Sequence, residues 1–155
     1  MFTQAKGWSV AAAILLAHGS CWAQGHGMNT KDMKFAAMPT LPACAAAAVA
    51  QGDPAKGPSF ILGKIEKNCV IPWHWHNANE HVMMVSGQAR IELKDGAPMT
   101  LDGGGFAMLP SKHTHRFTCL KTCMLYVYSD AIFDIHYINA EGQEIALADA
   151  LKAKP

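Results

Sequence analysis

The sequence has no dominant charge. In its 155 residues, 13 Lys and Arg face 12 Asp and Glu, a formal charge of +1, so nothing in the balance points to a nucleic-acid or anionic-membrane partner. It has no long hydrophobic run either. Its most apolar stretch, Trp8 to Ala17, is about half of the ~20 residues a membrane-spanning helix requires, which excludes stable insertion by a helix. There is no Ser/His/Asp arrangement, no glycine-rich phosphate loop and no paired CxxC element, which removes hydrolysis through a covalent intermediate and nucleotide chemistry. No internal repeat is visible. Charged residues make up only 16% and hydrophobic residues 50%, enough for one globular domain with a real core and too few residues for two. These exclusions leave a small molecule as the expected partner.

Lys6, the apolar run and the segment His18–Ala23 have the three parts of a secretory signal, so residues 1–23 are read as a signal peptide cut after Ala23, with Ala17 as the alternative. Attachment of lipid to Cys21 and a buried N-terminal helix are the competing readings. Export places the mature chain in the periplasm or outside the cell. Cleavage after Ala23 would start it at Gln24, Gly25 and His26, a trio able to hold Cu(II) or Ni(II), although a solvated tail is the preferred reading. Cys44, Cys69, Cys119 and Cys123 then form an even set in a compartment that permits disulfides. Cys119 and Cys123 can staple a tight hairpin and leave Cys44 for Cys69; the alternative is four small buried hydrophobes.

Residues 24–58 are rich in Gly, Ala, Pro and Met and read as an irregular arm, with a helical turn or two over Ala43–Ala50. After Pro58 the pattern changes to short β-rich runs separated by turn residues such as Gly87–Gln88 and Asp102–Gly104. That spacing predicts an all-β barrel or sandwich over 59–140. Glu144–Lys152 is read as a short amphipathic helix within a tail, 141–155.

One segment carries the chemistry. His74 and His76 lie one residue apart, and side chains at i and i+2 of a strand share a face; a turn through Asn77–Asn79 can return Glu80 to the same point. His115, opening a strand after a proline turn, is the best candidate for the missing partner. Three imidazoles and a carboxylate suit one divalent transition metal, with Fe or Mn favoured and Cu, Ni or Zn open. The same face is read as carrying Val70 and Pro72, and the interior as lined by Val82, Met84, Phe106, Met108 and Phe117.

From His74 and His76 through Glu80 to Gly87, and again over Gly104, Pro110 and His115, the chain resembles the two motifs of the cupin superfamily. It departs from them at Asn68 and Lys112, where the family has glycine, and at Cys119, where it has asparagine. The resemblance implies a jelly-roll β-barrel, here with an irregular N-terminal arm and a short C-terminal helix, usually dimeric, with the ion near its middle. It implies metal ligation by His74, His76, Glu80 and His115, and it leaves the reaction open. Our reading is an exported metal-dependent enzyme, dioxygenase-like, acting on a small organic molecule, with Glu80 as ligand or proton carrier. A non-redox isomerase, decarboxylase or lyase and a non-catalytic metal- or ligand-binding envelope protein are the alternatives.

The remaining histidines and aromatics are assigned away from the ion. His81, Trp73 and Trp75 fall on the opposite face, His113 lies in a turn, and His136 is expected to pair with a neighbouring strand. The methionines are read as core filler rather than a copper site.

Overall fold

The computed structural model describes residues 25–152. The expected signal segment, its expected cleavage site and Cys21 lie outside them. Nine strands form one curled antiparallel sheet: β1 (Ala36–Ala37), β2 (Ala45–Gly52), β3 (Ser59–Ile65), β4 (Val70–Trp75), β5 (Glu80–Leu93), β6 (Met99–Asp102), β7 (Phe106–Leu109), β8 (His115–Ser129) and β9 (His136–Tyr137). The fold is all-β, a barrel with one short α-helix among the described residues, α1 (Leu147–Ala150), near its C-terminal end.

β8 is the strand the others are built on. β5 pairs with it from Glu80↔Ser129 to Leu93↔His115. Its other edge is divided, with β3 on Cys123–Ser129 and β4 on His115–Thr118. β6 and β7 extend the sheet from β5, and β9 extends it from β4. The concave side buries a continuous core that includes Val82, Met84, Ile91, Phe117, Cys119 and Leu125.

Several expectations are corrected. Ala43–Ala50 does not form helical turns: Ala45–Gly52 is a strand paired with β3. Alanine's helix propensity is a weak local preference that sheet pairing overrides. Gly87–Gln88 is not a hairpin turn but a bulge inside the continuous β5. Register irregularities between Met84 and Ala89 move the buried set from Glu80, Val82 and Met84 to Ala89 and Ile91, so the strand changes parity without ending. Likewise Cys119 and Cys123 bridge two points of the unbroken β8 rather than a hairpin. An irregularity between Ile71 and His74 puts Ile71, not Val70 or Pro72, on the inner face. Phe106 and Met108 are 58% and 48% exposed, because the inward positions of β7 are Ala107 and Leu109. The C-terminal helix shrinks to four residues, Glu144 being bridged to Ile138 instead.

Candidate metal centre

The four residues singled out by their spacing meet inside the barrel. His74 lies on β4 and pairs in register with His115, which opens β8; His76 follows β4 and Glu80 opens β5. All four are buried, and one potential ligand atom from each lies within 4.8 Å of every other. The imidazoles meet edge-on or tilted, with His74 and His115 centroids 4.2 Å apart and His74 and His76 centroids 4.9 Å apart.

The turn between His76 and Glu80 is pinned from two sides. Asn79 donates its backbone N–H and Nδ2 to the Asp130 carboxylate at 2.9 and 2.7 Å. Ser111 donates its N–H to Asn79 Oδ1 at 3.0 Å and its hydroxyl to the Asn77 carbonyl at 2.7 Å. Lys112 donates its N–H to the His76 carbonyl at 2.7 Å. Lys112 and Asn68, standing where the resemblance expects glycine, have φ of 61° and 64°. The backbone at both positions keeps the left-handed shape that glycine adopts freely. Asparagine tolerates it better than lysine.

Each of the three rings is oriented through its Nδ1. Nδ1 of His74 faces the Pro72 carbonyl at 2.6 Å, Nδ1 of His115 faces the His113 carbonyl at 2.8 Å, and Nδ1 of His76 faces the Asp134 carbonyl. A carbonyl can only accept, so each Nδ1 carries a proton and each ring turns its Nε2 towards the centre. The Nε2 atoms of His76 and His115 are buried without a hydrogen-bond partner, although Glu80 Oε2 lies 3.5 and 3.2 Å away. Buried lone pairs without donors are rare in proteins. Two of them, beside the His74 ring and a carboxylate, belong to a donor set that a transition-metal ion would complete, so the residues fit such an ion.

Burial, together with the His115 and His76 rings, holds His74 well below the usual histidine pKa and keeps it neutral. Burial opposes ionisation of Glu80, but the His76 and His115 imidazoles outweigh it and hold the carboxyl well below its ordinary range. At His76, burial is outweighed by Glu80 and the Asp134 carbonyl, and its pKa is raised.

A cavity of about 60 Å³ opens onto the four residues. Its remaining walls are apolar, including Ile61, Ile71, Val82, Leu109, Phe117 and Val127. Met38 and Leu41 from the arm, and Phe133 and Ile135 from the segment before β9, are half-buried and add to the lining. The two segments are tied where the Tyr137 hydroxyl donates to the Thr40 carbonyl at 2.8 Å.

His113 supplies its carbonyl and not its ring. His81 faces out, its ring 5.5 Å from Tyr128. His136 stacks on Trp75 at 3.9 Å, with the planes 4° apart, and bonds to Glu144 and Asp134. Trp73 lies under the Arg116 guanidinium at 5.2 Å. The contribution that the sequence reading missed is the segment around Asp134. Its carbonyl orients His76, Phe133 stacks on the same ring at 5.0 Å, and its carboxylate accepts the Asn77 backbone N–H at 2.9 Å.

The family described as Cupin domain matches residues 61–128. Among solved structures, the polyketide cyclase RemF from Streptomyces resistomycificus is similar with a TM-score of 0.64 at 16% identity, over 77% of this chain and 89% of that one. A candidate acetylacetone dioxygenase from Methylibium petroleiphilum PM1 is similar with a TM-score of 0.61 at 11% identity, over 79% and 87%. KdgF from a Halomonas species is similar with a TM-score of 0.59 at 15% identity, over 72% and 96%. At these identities the likeness is one of fold. No curated protein matches the chain.

Proposed function

We propose, from the premise that this chain belongs to the cupin superfamily, that it is an exported enzyme holding one divalent transition-metal ion, iron or manganese by preference, for a dioxygenase-like oxidation of a small organic molecule. The observation that carries the reading is the set of three buried imidazoles, each with Nδ1–H spent on a carbonyl, gathered with the Glu80 carboxylate so that one potential ligand atom from each lies within 4.8 Å of the others. When bound, such an ion supplies Lewis acidity and one-electron redox chemistry at the positions that four protein ligands leave open.

The chain's own residues do the rest. His74, His76 and His115 offer imidazole nitrogens in fixed orientation. Glu80 stays ionised and able either to ligate or to accept a substrate proton at Oε2, which faces Nε2 of both His76 and His115. The apolar walls limit the water that reaches the site. Export is supported by residues 1–23 and by the disulfides Cys44–Cys69 and Cys119–Cys123. No helix among the described residues is long and apolar enough to cross a membrane. A homodimer is supported by the exposed Phe106 and Met108 on the outer face of β7.

The test is oxygen uptake by the iron- or manganese-loaded protein with small diketones and catechols, alongside metal analysis. Wild type is expected to carry about one ion per chain and consume dioxygen, and His76→Ala to lose both. Full metal content in His76→Ala would sink the ligand assignment. Turnover with zinc and without dioxygen would replace the oxidation by a non-redox reaction.

A further inference from the structure

The cavity restricts its ligand more narrowly than the donor set does. Apart from His74, His76, Glu80 and His115, every residue lining it is Ala, Gly, Val, Leu, Ile, Met or Phe. Among the described residues, no Lys or Arg reaches it to neutralise a second anionic group, and no hydroxyl or amide side chain lines it to pair with a substrate hydroxyl. Three of the four polar residues already have their Nδ1 atoms engaged with carbonyls. All the polarity available to a ligand therefore sits at one point of an otherwise apolar chamber. About 60 Å³ of centre-accessible space corresponds to about four to six waters, which suits one small ring or a short chain.

We infer that the substrate is a compact molecule with a single polar end, a pair of chelating oxygen atoms, and an otherwise hydrocarbon body carrying no second charge and no free hydroxyl. The inference rests on the metal-holding reading above. Two donor oxygens would fill the two positions that four protein ligands would leave on an ion that takes six. Any further polar group would be stripped of water without a partner. Sugar acids, dicarboxylates and polyols are thereby excluded, since each carries carboxylates or hydroxyls beyond one chelating pair.

The test compares two ligands that share a head and differ in their tail, 4-isopropylcatechol and 3,4-dihydroxybenzoate. Each is titrated into cobalt(II)-loaded full chain while the visible absorption of the ion is followed, with metal content measured beforehand. Affinities are referred to those of the two catechols for free cobalt(II). The isopropyl compound is expected to bind more tightly by about tenfold or more. Met38→Arg, which adds a cation from the arm outside the barrel strands, is expected to narrow that difference. Equal or tighter binding of 3,4-dihydroxybenzoate by wild type would overturn the inference, and so would a loaded protein that binds neither catechol. A protein that takes up no cobalt would overturn the metal-holding reading itself, and is recognised before any ligand is added.

Discussion

His76 is the one candidate ligand whose orientation depends on a distant part of the chain. His74 and His115 each bond to a carbonyl two residues back, whereas His76 bonds to the Asp134 carbonyl, 58 residues away in sequence. The Asp134 carboxylate secures that carbonyl by holding the Asn77 backbone and side chain and the His136 ring. Asp134→Ala is expected to weaken metal binding by about tenfold, measured by competition with a chromogenic chelator, and to shift the His76 Nδ1 resonance. Unchanged affinity together with an unchanged resonance would remove Asp134 from this role. The candidate ligands were legible in the sequence because spacing alone put His74 and His76 on one face and offered Glu80 and His115 as partners. The Asp134 contact was not, because a backbone acceptor leaves no signature in residue type.

At the scale of elements, the informative failures lie where a strand changes direction without ending. Gly87 has φ of 87°, and a Cβ there would meet the Thr122 carbonyl oxygen at 2.2 Å and that of Lys121 at 2.7 Å. Both carbonyls belong to β8, so the bulge of β5 is fitted against its partner. Gly87→Ala combines a left-handed backbone with a backbone clash and is expected to lower stability by about 2–4 kcal/mol, read from a urea midpoint at unchanged slope. A loss below about 0.5 kcal/mol, the range of ordinary surface substitutions, would show that the bulge relaxes freely. A glycine flanked by alternating residues is also what a hairpin turn looks like, and this is why two strands were expected where one bent strand exists. The alanine run of β2 misled for a different reason. Alanine carries no pattern of its own, so the partner strand decides its conformation, and β3 made it a strand.

At the scale of the whole molecule, two disulfides tie different things. Cys44–Cys69, 25 residues apart, fastens the entry to β2 onto the entry to β4, while Cys119–Cys123, four apart, staples β8 to itself. Chain-entropy reasoning gives about 3–4 kcal/mol for the longer loop and about 2 kcal/mol for the shorter. Replacing Cys44 and Cys69 together by Ala is therefore expected to lower the melting temperature more than replacing Cys119 and Cys123, in parallel thermal scans. The reverse order would place the greater constraint at the bend of β8. The all-β barrel was legible from strand spacing, and the even cysteine set suggested both bridges. The arm's contribution was less visible, because Met38 and Leu41 acquire their role only by lying over the cavity.

The dependence of His76 on Asp134 also has a meaning in time. A chain is synthesised from its amino end, so His74, His76 and Glu80 exist before His115, and all four exist before the carbonyl that fixes His76. The candidate site is therefore complete only when residue 134 is in place, and a chain that folds after export would meet the ions of that compartment and not those of the place where it was made.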